Sequence, residues 1–297
     1  MFAERLDRAR AAMAERGLDV LLLSVGADLP WLCGYEAMPL ERLTLLIVPR
    51  EGDARLLVPF LEAPRVVDRP DVFEMLTWRD GEDPVALASG LIGAAGTAAI
   101  GDQTWAGFLV DFTSAMPGTS FSRASAITAP LRMVKDAAEV DALRRAAAAV
   151  DRILADVQAG NVVLAGRTEA AVAAEIAQRI LDEGHRKVNF TIVASGPNAA
   201  SPHHEAADRV IRDGEGVLFD IGGTMDGADG VGYCSDITRC VHLGEPPSGF
   251  AELYEVLHEA QAAGVAAATV GTPCEDVDAA ARRVIGDAGY GEYFVHR

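Results

Sequence analysis

The chain has 297 residues, about twice the length of a typical domain, and carries a formal net charge of −18. A field of that sign repels nucleic acid and anionic lipid, so neither nucleic acid nor a membrane is expected as a partner, whereas a cation or a peptide amine is acceptable. Half of the residues are hydrophobic and 24% are charged, the balance of a chain with a sizeable core, and no apolar stretch reaches membrane-spanning length.

The N-terminal stretch MFAERLDRARAAMAERGLD has charges where a signal peptide needs an unbroken apolar segment, which makes the cytoplasm the expected location. It reads as an amphipathic helix with Phe2, Leu6, Ala9 and Met13 on one side and Glu4, Arg5, Arg8 and Arg10 off it, ended by Gly17. Apolar runs at LDVLLLS, LTLLIVPR and ARLLVPF then alternate with helix-like DPVALASGLIG and TWAGFLVDFTSAM. This pattern predicts an α/β domain on a parallel or mixed sheet. No Gly-rich loop joins a strand to a helix there, so no nucleotide site is expected. Cys33, Cys234, Cys240 and Cys274 lack CxxC pairing and are expected to be reduced and mostly buried.

The texture changes near Pro130. Asp136 stands three residues before Glu139, a capping-box spacing, and a long Ala-rich helical pattern follows. The domain boundary falls here, dividing residues 1–130 from 131–297. Thr168 is the next cap, with a helix running to Gly184, then strand-like VNFTIVAS and the irregular loop GPNAASPHHEAADR. After a pair of strands, PPSGFAELYEVLHEAQAAGVAAA is helical. Thr272, Pro273, Cys274 and Glu275 combine a capping box with proline at the first helical position, in a helix ending near Gly286 to Gly289. Helices, then strands, then helices predict an α+β second domain.

The strand pair reads as a hairpin: GVLFDIGGT, the turn MDGADG, and VGYCSDITRCVHL. Asp220 and Asp236 each occupy a position in it where a core residue would fit. Paired strands would converge the two carboxylates on one face, which is costly unless a cation sits between them. The spacing alone equally admits two solvent-facing aspartates. Asp226 and Asp229 lie in the turn and are expected to be solvated, and DGADG is too short for an EF-hand loop. His203 and His204 sit in the loop before the hairpin, where a histidine is ordinarily just exposed unless the carboxylates are close. His296 is an unremarkable tail residue by itself. His185 and His258 are expected to be structural, and His242 continues the second hairpin strand.

Taken together, these segments resemble the M24B metallopeptidases: aminopeptidase P, prolidase and their creatinase-fold relatives. Asp220, Ile221, Gly222 and then Gly232, Tyr233, Cys234, Ser235, Asp236, Ile237, Thr238, Arg239 are similar to the family's DxG…GYxSDxTR signature. IVASGPNAASPHH is similar to the segment that precedes it, with His203 at the family's active-site histidine. GYGEYFVHR resembles the lead-in to its third metal-binding stretch, and RLDRARAAMAERGLDVLLLSVGADLPWLCGY the opening of its N-terminal domain.

The resemblance implies an α/β creatinase-like N-terminal domain plus an α+β pita-bread catalytic domain that is incomplete. It implies two divalent metal ions, manganese first with cobalt or zinc as alternatives. Asp220 would be the bidentate ligand of one ion and Asp236 the bridge between both, while His203 would shape the substrate pocket and His296 would hydrogen-bond the substrate. The implied activity is metal-dependent hydrolysis of an Xaa-Pro peptide bond in a proline-containing peptide, by a homodimer. Two departures stand out. The interval from Asp220 to Asp236 is longer than the family's, with the extra residues in the turn, and the sequence reaches Arg297 before the family's GHGxG-type histidine and two glutamates. Two aspartates hold a metal weakly, so the chain as it stands is expected to be an inactive fragment. The alternatives are a creatinase-like small-molecule hydrolase on the same fold, and a non-catalytic pseudoenzyme or binding module.

Overall fold

The structure is a computed structural model, and it describes residues 1–295. The chain divides into two compact units. One holds Met1–Ala149, Gly184–Lys187 and Gly223–Ser235; the other holds Val150–Glu183, Val188–Gly222 and the residues from Asp236 on. Among the described residues no helix is long and apolar enough to cross a membrane.

In the first unit, α1 (Phe2–Glu15) buries the expected stripe Phe2, Leu6, Ala9 and Met13. Then come β1 (Val20–Leu23), α2 (Asp28–Cys33), β2 (Leu45–Pro49), β3 (Arg55–Pro59), β4 (Glu74–Trp78) and α3 (Pro84–Ile92). They are followed by β5 (Thr97–Ile100), α4 (Ala106–Ala115), β6 (Ser120–Arg123) and α5 (Ser125–Met133). The six strands form one sheet in the order β4-β3-β2-β1-β5-β6. The β1–β2 and β2–β3 pairs are antiparallel and the other three parallel, so the sheet is mixed. Strands β1 and β2 are apolar on both faces because both faces are covered. Leu21, Leu23, Leu46 and Val48 pack in a cluster with Phe2, Leu6 and Met13, whereas Val20, Leu22, Leu45 and Ile47 pack with Val85 and Phe112.

Pro130 lies inside α5. The expected capping box forms at the start of α6 (Ala137–Gln158): the Asp136 N–H donates to Glu139 Oε2 and the Glu139 N–H to Asp136 Oδ1, each at 2.9 Å. Glu139 also faces Arg5. The Arg5 guanidinium is 3% exposed and donates to Trp31 O at 3.0 Å, to Glu139 Oε1 at 3.2 Å and to Asp229 Oδ2 at 3.2 Å. Two expectations are corrected here. Arg5, placed off the apolar stripe, is buried with it, and Asp229, expected to be solvated, has a side chain only 5% exposed. The reason is pairing, since a buried arginine recruits carboxylates from wherever the fold brings them. Burial, partly offset by Arg5, pushes the adjoining Tyr233 phenol up to about 12.

The remaining elements are α7 (Glu169–Asp182), β7 (Lys187–Ser195), β8 (Gly216–Asp226), β9 (Gly232–Cys234), β10 (Ile237–His242), α8 (Phe250–Ala267) and α9 (Cys274–Asp287); β9 and the end of β8 belong to the first unit, the rest almost wholly to the second. The order is β10-β8-β7, with β9 also on β8. Thr168 caps α7 as expected, accepting from the Ala171 N–H at 3.1 Å. Val150, Ile153, Leu154, Val172, Ile176 and Ile180 of the helices bury Val193, Val217, Phe219 and Ile221 of the strands.

The hairpin forms with two changes. Its second strand is interrupted at Ser235 and Asp236, giving β9 and β10. Strand β8 extends to Asp226, so the turn is the shorter stretch 227–231, closed by the Gly227 N–H on Val231 O at 2.8 Å. The box expected from Thr272 and Glu275 does not form. Pro273 is the cap residue of α9, and the Thr272 hydroxyl instead meets that of Thr269 at 2.8 Å. Of the cysteines, Cys33 is buried and Cys240 half-buried, but Cys234 and Cys274 are exposed, against the expectation that most are buried. His185 is structural as expected: it is 3% exposed, with Nε2 2.9 Å from Ser235 Oγ.

Candidate active site

Alternation along β8 settles where Asp220 points. Val217, Phe219 and Ile221 enter the core, so Asp220 faces the opposite side of the sheet. Its cross-strand partner is Thr238, whose hydroxyl donates to Asp220 Oδ1 at 3.1 Å. Asp236 lies just before β10, two residues ahead of Thr238, and its charge acts on Asp220. The solvent-facing alternative holds for Asp236, which is exposed, but not for Asp220, which is half-buried and feels the charge of Asp236. Burial raises the Asp220 carboxyl above its ordinary range and the charge of Asp236 adds to the rise, while the Thr238 hydroxyl and His203 oppose it. Among the described residues neither aspartate has an ion pair with arginine or lysine.

Both aspartates line a cleft of about 750 Å³ together with His203 and His204, which come from the loop after β7. Phe190 and Ile192 of β7 and Ala170 and Ala173 of α7 give it apolar walls. His203 is exposed and sits at φ 58, the one non-glycine residue at positive φ among the described residues. That region disfavours a side chain by about 1–2 kcal/mol, and such strain concentrates at functional sites. Of the four residues singled out from sequence, the fold thus brings Asp220, Asp236 and His203 together. His296 lies outside the described residues.

The residues fit the implied metal in kind. Two neighbouring carboxylates, one raised by burial and by its neighbour's charge and neither ion-paired with arginine or lysine among the described residues, offer hard oxygen donors suited to a divalent ion. Among the described residues no three His, Cys, Asp or Glu side chains gather as a fuller ligand set. Sequence reasoning missed one participant. Glu169, in the first turn of α7, is fully buried and reaches His204 Nε2 at 2.8 Å. An acidic residue there ordinarily answers the helix dipole, and nothing in its spacing signals that it turns inward.

An α/β domain followed by an α+β domain whose hairpin presents paired aspartates to a cleft is the layout of a metallopeptidase with a creatinase-type N-terminal domain. Comparison with known proteins gives the family. The model of metallopeptidase family M24 matches residues 141–297, and that of the creatinase/prolidase N-terminal domain matches residues 5–134. The chain belongs to metallopeptidase family M24.

It is 43% identical over 301 aligned positions to a probable dipeptidase PepE of Mycobacterium tuberculosis, covering 100% of this chain and 78% of the relative. The crystal structure of dipeptidase PepE from Mycobacterium ulcerans superposes with a TM-score of 0.87 at 42% identity, covering 100% of this chain and 79% of that one. A recombinant prolidase from Thermococcus sibiricus gives 0.90 at 33% identity, covering 100% and 80%.

Proposed function

We propose that this chain supplies two aspartate ligands to a dinuclear metal site in a peptidase that cleaves the bond before proline in Xaa-Pro dipeptides. The observation that carries the reading is the convergence of Asp220, Asp236 and His203 on one cleft. The names of the relatives, dipeptidase and prolidase, support the substrate class.

In this reading Asp220 and Asp236 would hold the divalent ions, and Thr238 orients Asp220 through its hydroxyl. When bound, divalent ions supply Lewis-acid polarisation of the scissile carbonyl and bring the pKa of water near neutrality. Oxygen donors favour manganese, with cobalt or zinc as alternatives. His203 contacts the substrate, and the walls of Phe190, Ile192 and Ala170 accept the pyrrolidine ring. The bond cleaved is a tertiary amide without an N–H, so recognition leans on the shape of the ring rather than on a backbone donor. A cytoplasmic homodimer completes the proposal, and sedimentation tests the assembly state.

The experiment is release of proline from Xaa-Pro dipeptides, compared with Xaa-Ala controls, by the protein expressed from its complete reading frame with manganese, cobalt or zinc. Turnover of Xaa-Pro is expected, reduced to background by Asp236→Asn. Undiminished turnover in that variant refutes the ligand assignment.

A further inference from the structure

The loop between β7 and β8, residues 196–215, is long for a connection inside a compact unit, and such loops are ordered when they serve a site. This one is fastened to the first turn of α7. Two N–H groups that the helix itself leaves without partners are used: Glu169 N–H donates to Arg209 O at 2.9 Å and Ala170 N–H to Ala207 O at 3.0 Å.

The Glu169 side chain grips the other half of the loop. It is 0% exposed, and its Oε1 accepts from the Ser195 N–H and the Ser195 hydroxyl, each at 2.7 Å. Its Oε2 accepts from Asn198 Nδ2 at 3.0 Å and meets His204 Nε2 at 2.8 Å. Burial pushes the Glu169 carboxyl up, but the donors from Ser195, His204 and Asn198 outweigh it and hold the carboxyl below its ordinary range. An ionised carboxylate accepts and never donates, so His204 carries its proton on Nε2. The Ser195 hydroxyl in turn accepts from Arg209 Nη1 at 2.6 Å, and Arg209 is held by Glu215 Oε2 at 2.8 Å. The start, middle and end of the loop therefore converge on one buried acid.

His203 is the residue next to His204, and it adopts a backbone conformation that L-residues rarely take. Such a conformation persists where the surroundings over-determine it. We propose that Glu169 is a positioning residue: by holding Ser195, Asn198 and His204 it keeps the loop in the conformation that turns His203 into the cleft with Asp220 and Asp236. The conformational part stands without the functional reading; the effect on turnover rests on it.

Glu169→Gln in the full chain tests this, since it keeps the volume but sets an amide against the donors of Asn198 and His204. Amide hydrogen exchange over residues 196–206 is expected to rise about tenfold or more, with exchange in β8 and β10 unchanged. kcat/KM for an Xaa-Pro dipeptide is expected to fall about tenfold, and in a His203→Ala background the same change should have no further effect. Unchanged exchange over 196–206 overturns the proposal whether or not peptides are cleaved. Losses that add in the double variant also overturn it, because a merely structural role behaves that way. Raised exchange in a protein that cleaves no Xaa-Pro peptide upholds the positioning role and sinks the function proposed above. Should Glu169→Gln fail to fold, Asn198→Ala and His204→Phe remove the same bonds singly from the loop side, with the same readings.

Discussion

Arg5 Nη1 lies 3.2 Å from Asp229 Oδ2, joining the first helix to the turn of the hairpin that carries the aspartate signature. Arg5→Met would leave Asp229 and Glu139 as buried acids without their cation, a loss that typically costs about 3–5 kcal/mol. Asp229→Asn should cost less, because Glu139 still neutralises the guanidinium. Urea unfolding of both variants checks the order, and a smaller loss for Arg5→Met than for Asp229→Asn contradicts it.

The Asp220–Asp236 pair predicts a change of sign. Without added metal, Asp220→Asn removes a half-buried charge that faces a like charge, and should stabilise the fold by roughly 0.5–1 kcal/mol. With manganese the order reverses, because ligand binding stabilises the wild type and the variant has lost a donor. Thermal melts with and without manganese decide this, and a variant that gains as much from the ion as the wild type does would exclude Asp220 as a ligand.

The Arg209–Glu215 pair sets an acid limit. The Arg209 hydrogen bonds, aided by the Arg212 amide, hold the Glu215 carboxyl at about 2 against an ordinary 4.5. A depressed acid stabilises the fold fully above its unfolded value, and that contribution is lost as pH falls from about 4.5 towards about 2. The side chains are 24% and 18% exposed, so solvent screens part of the gain and about 1–2 kcal/mol is expected at pH 7. Glu215→Gln should lose this at neutral pH and converge with the wild type near pH 2. A constant difference across that window would assign the loss to packing instead.

Gly196 opens the loop at φ 50, and a Cβ there would lie 2.9 Å from Arg209 Nη2 and 3.0 Å from Glu215 Oε1. Gly196→Ala therefore combines left-handed strain with displacement of the ion pair, and should cost about 1–3 kcal/mol. A melting temperature equal to that of the wild type would show that the pair moves aside freely.

Much of this architecture was legible in the sequence because it rests on local signals. The period of Phe2, Leu6, Ala9 and Met13 and the box of Asp136 and Glu139 formed as read, and the glycines between two strand-like runs gave a hairpin, with a shorter turn than expected. The misreadings arise where tertiary contacts override local preference. Arg5 and Asp229 look solvent-bound in isolation and are buried because they meet across 224 positions. Glu169 looks like a dipole partner, yet its acceptors are claimed by donors 26 to 35 residues away. Thr272 has the right spacing for a cap but turns to Thr269, a competitor that spacing cannot reveal. At the candidate site, the hairpin pattern allowed Asp220 and Asp236 to approach one another but left their exposure open, while the buried anchor behind His203 left no mark on the sequence pattern.

Glu139 does two things at once, since its Oε2 starts a helix and its Oε1 neutralises Arg5. Evolution cannot then edit positions 5, 139 and 229 independently. In homologous chains where an apolar side chain replaces the arginine, the two acids should turn neutral in the same lineages, leaving a covariation signal between the extreme N-terminus and the middle of the peptidase domain.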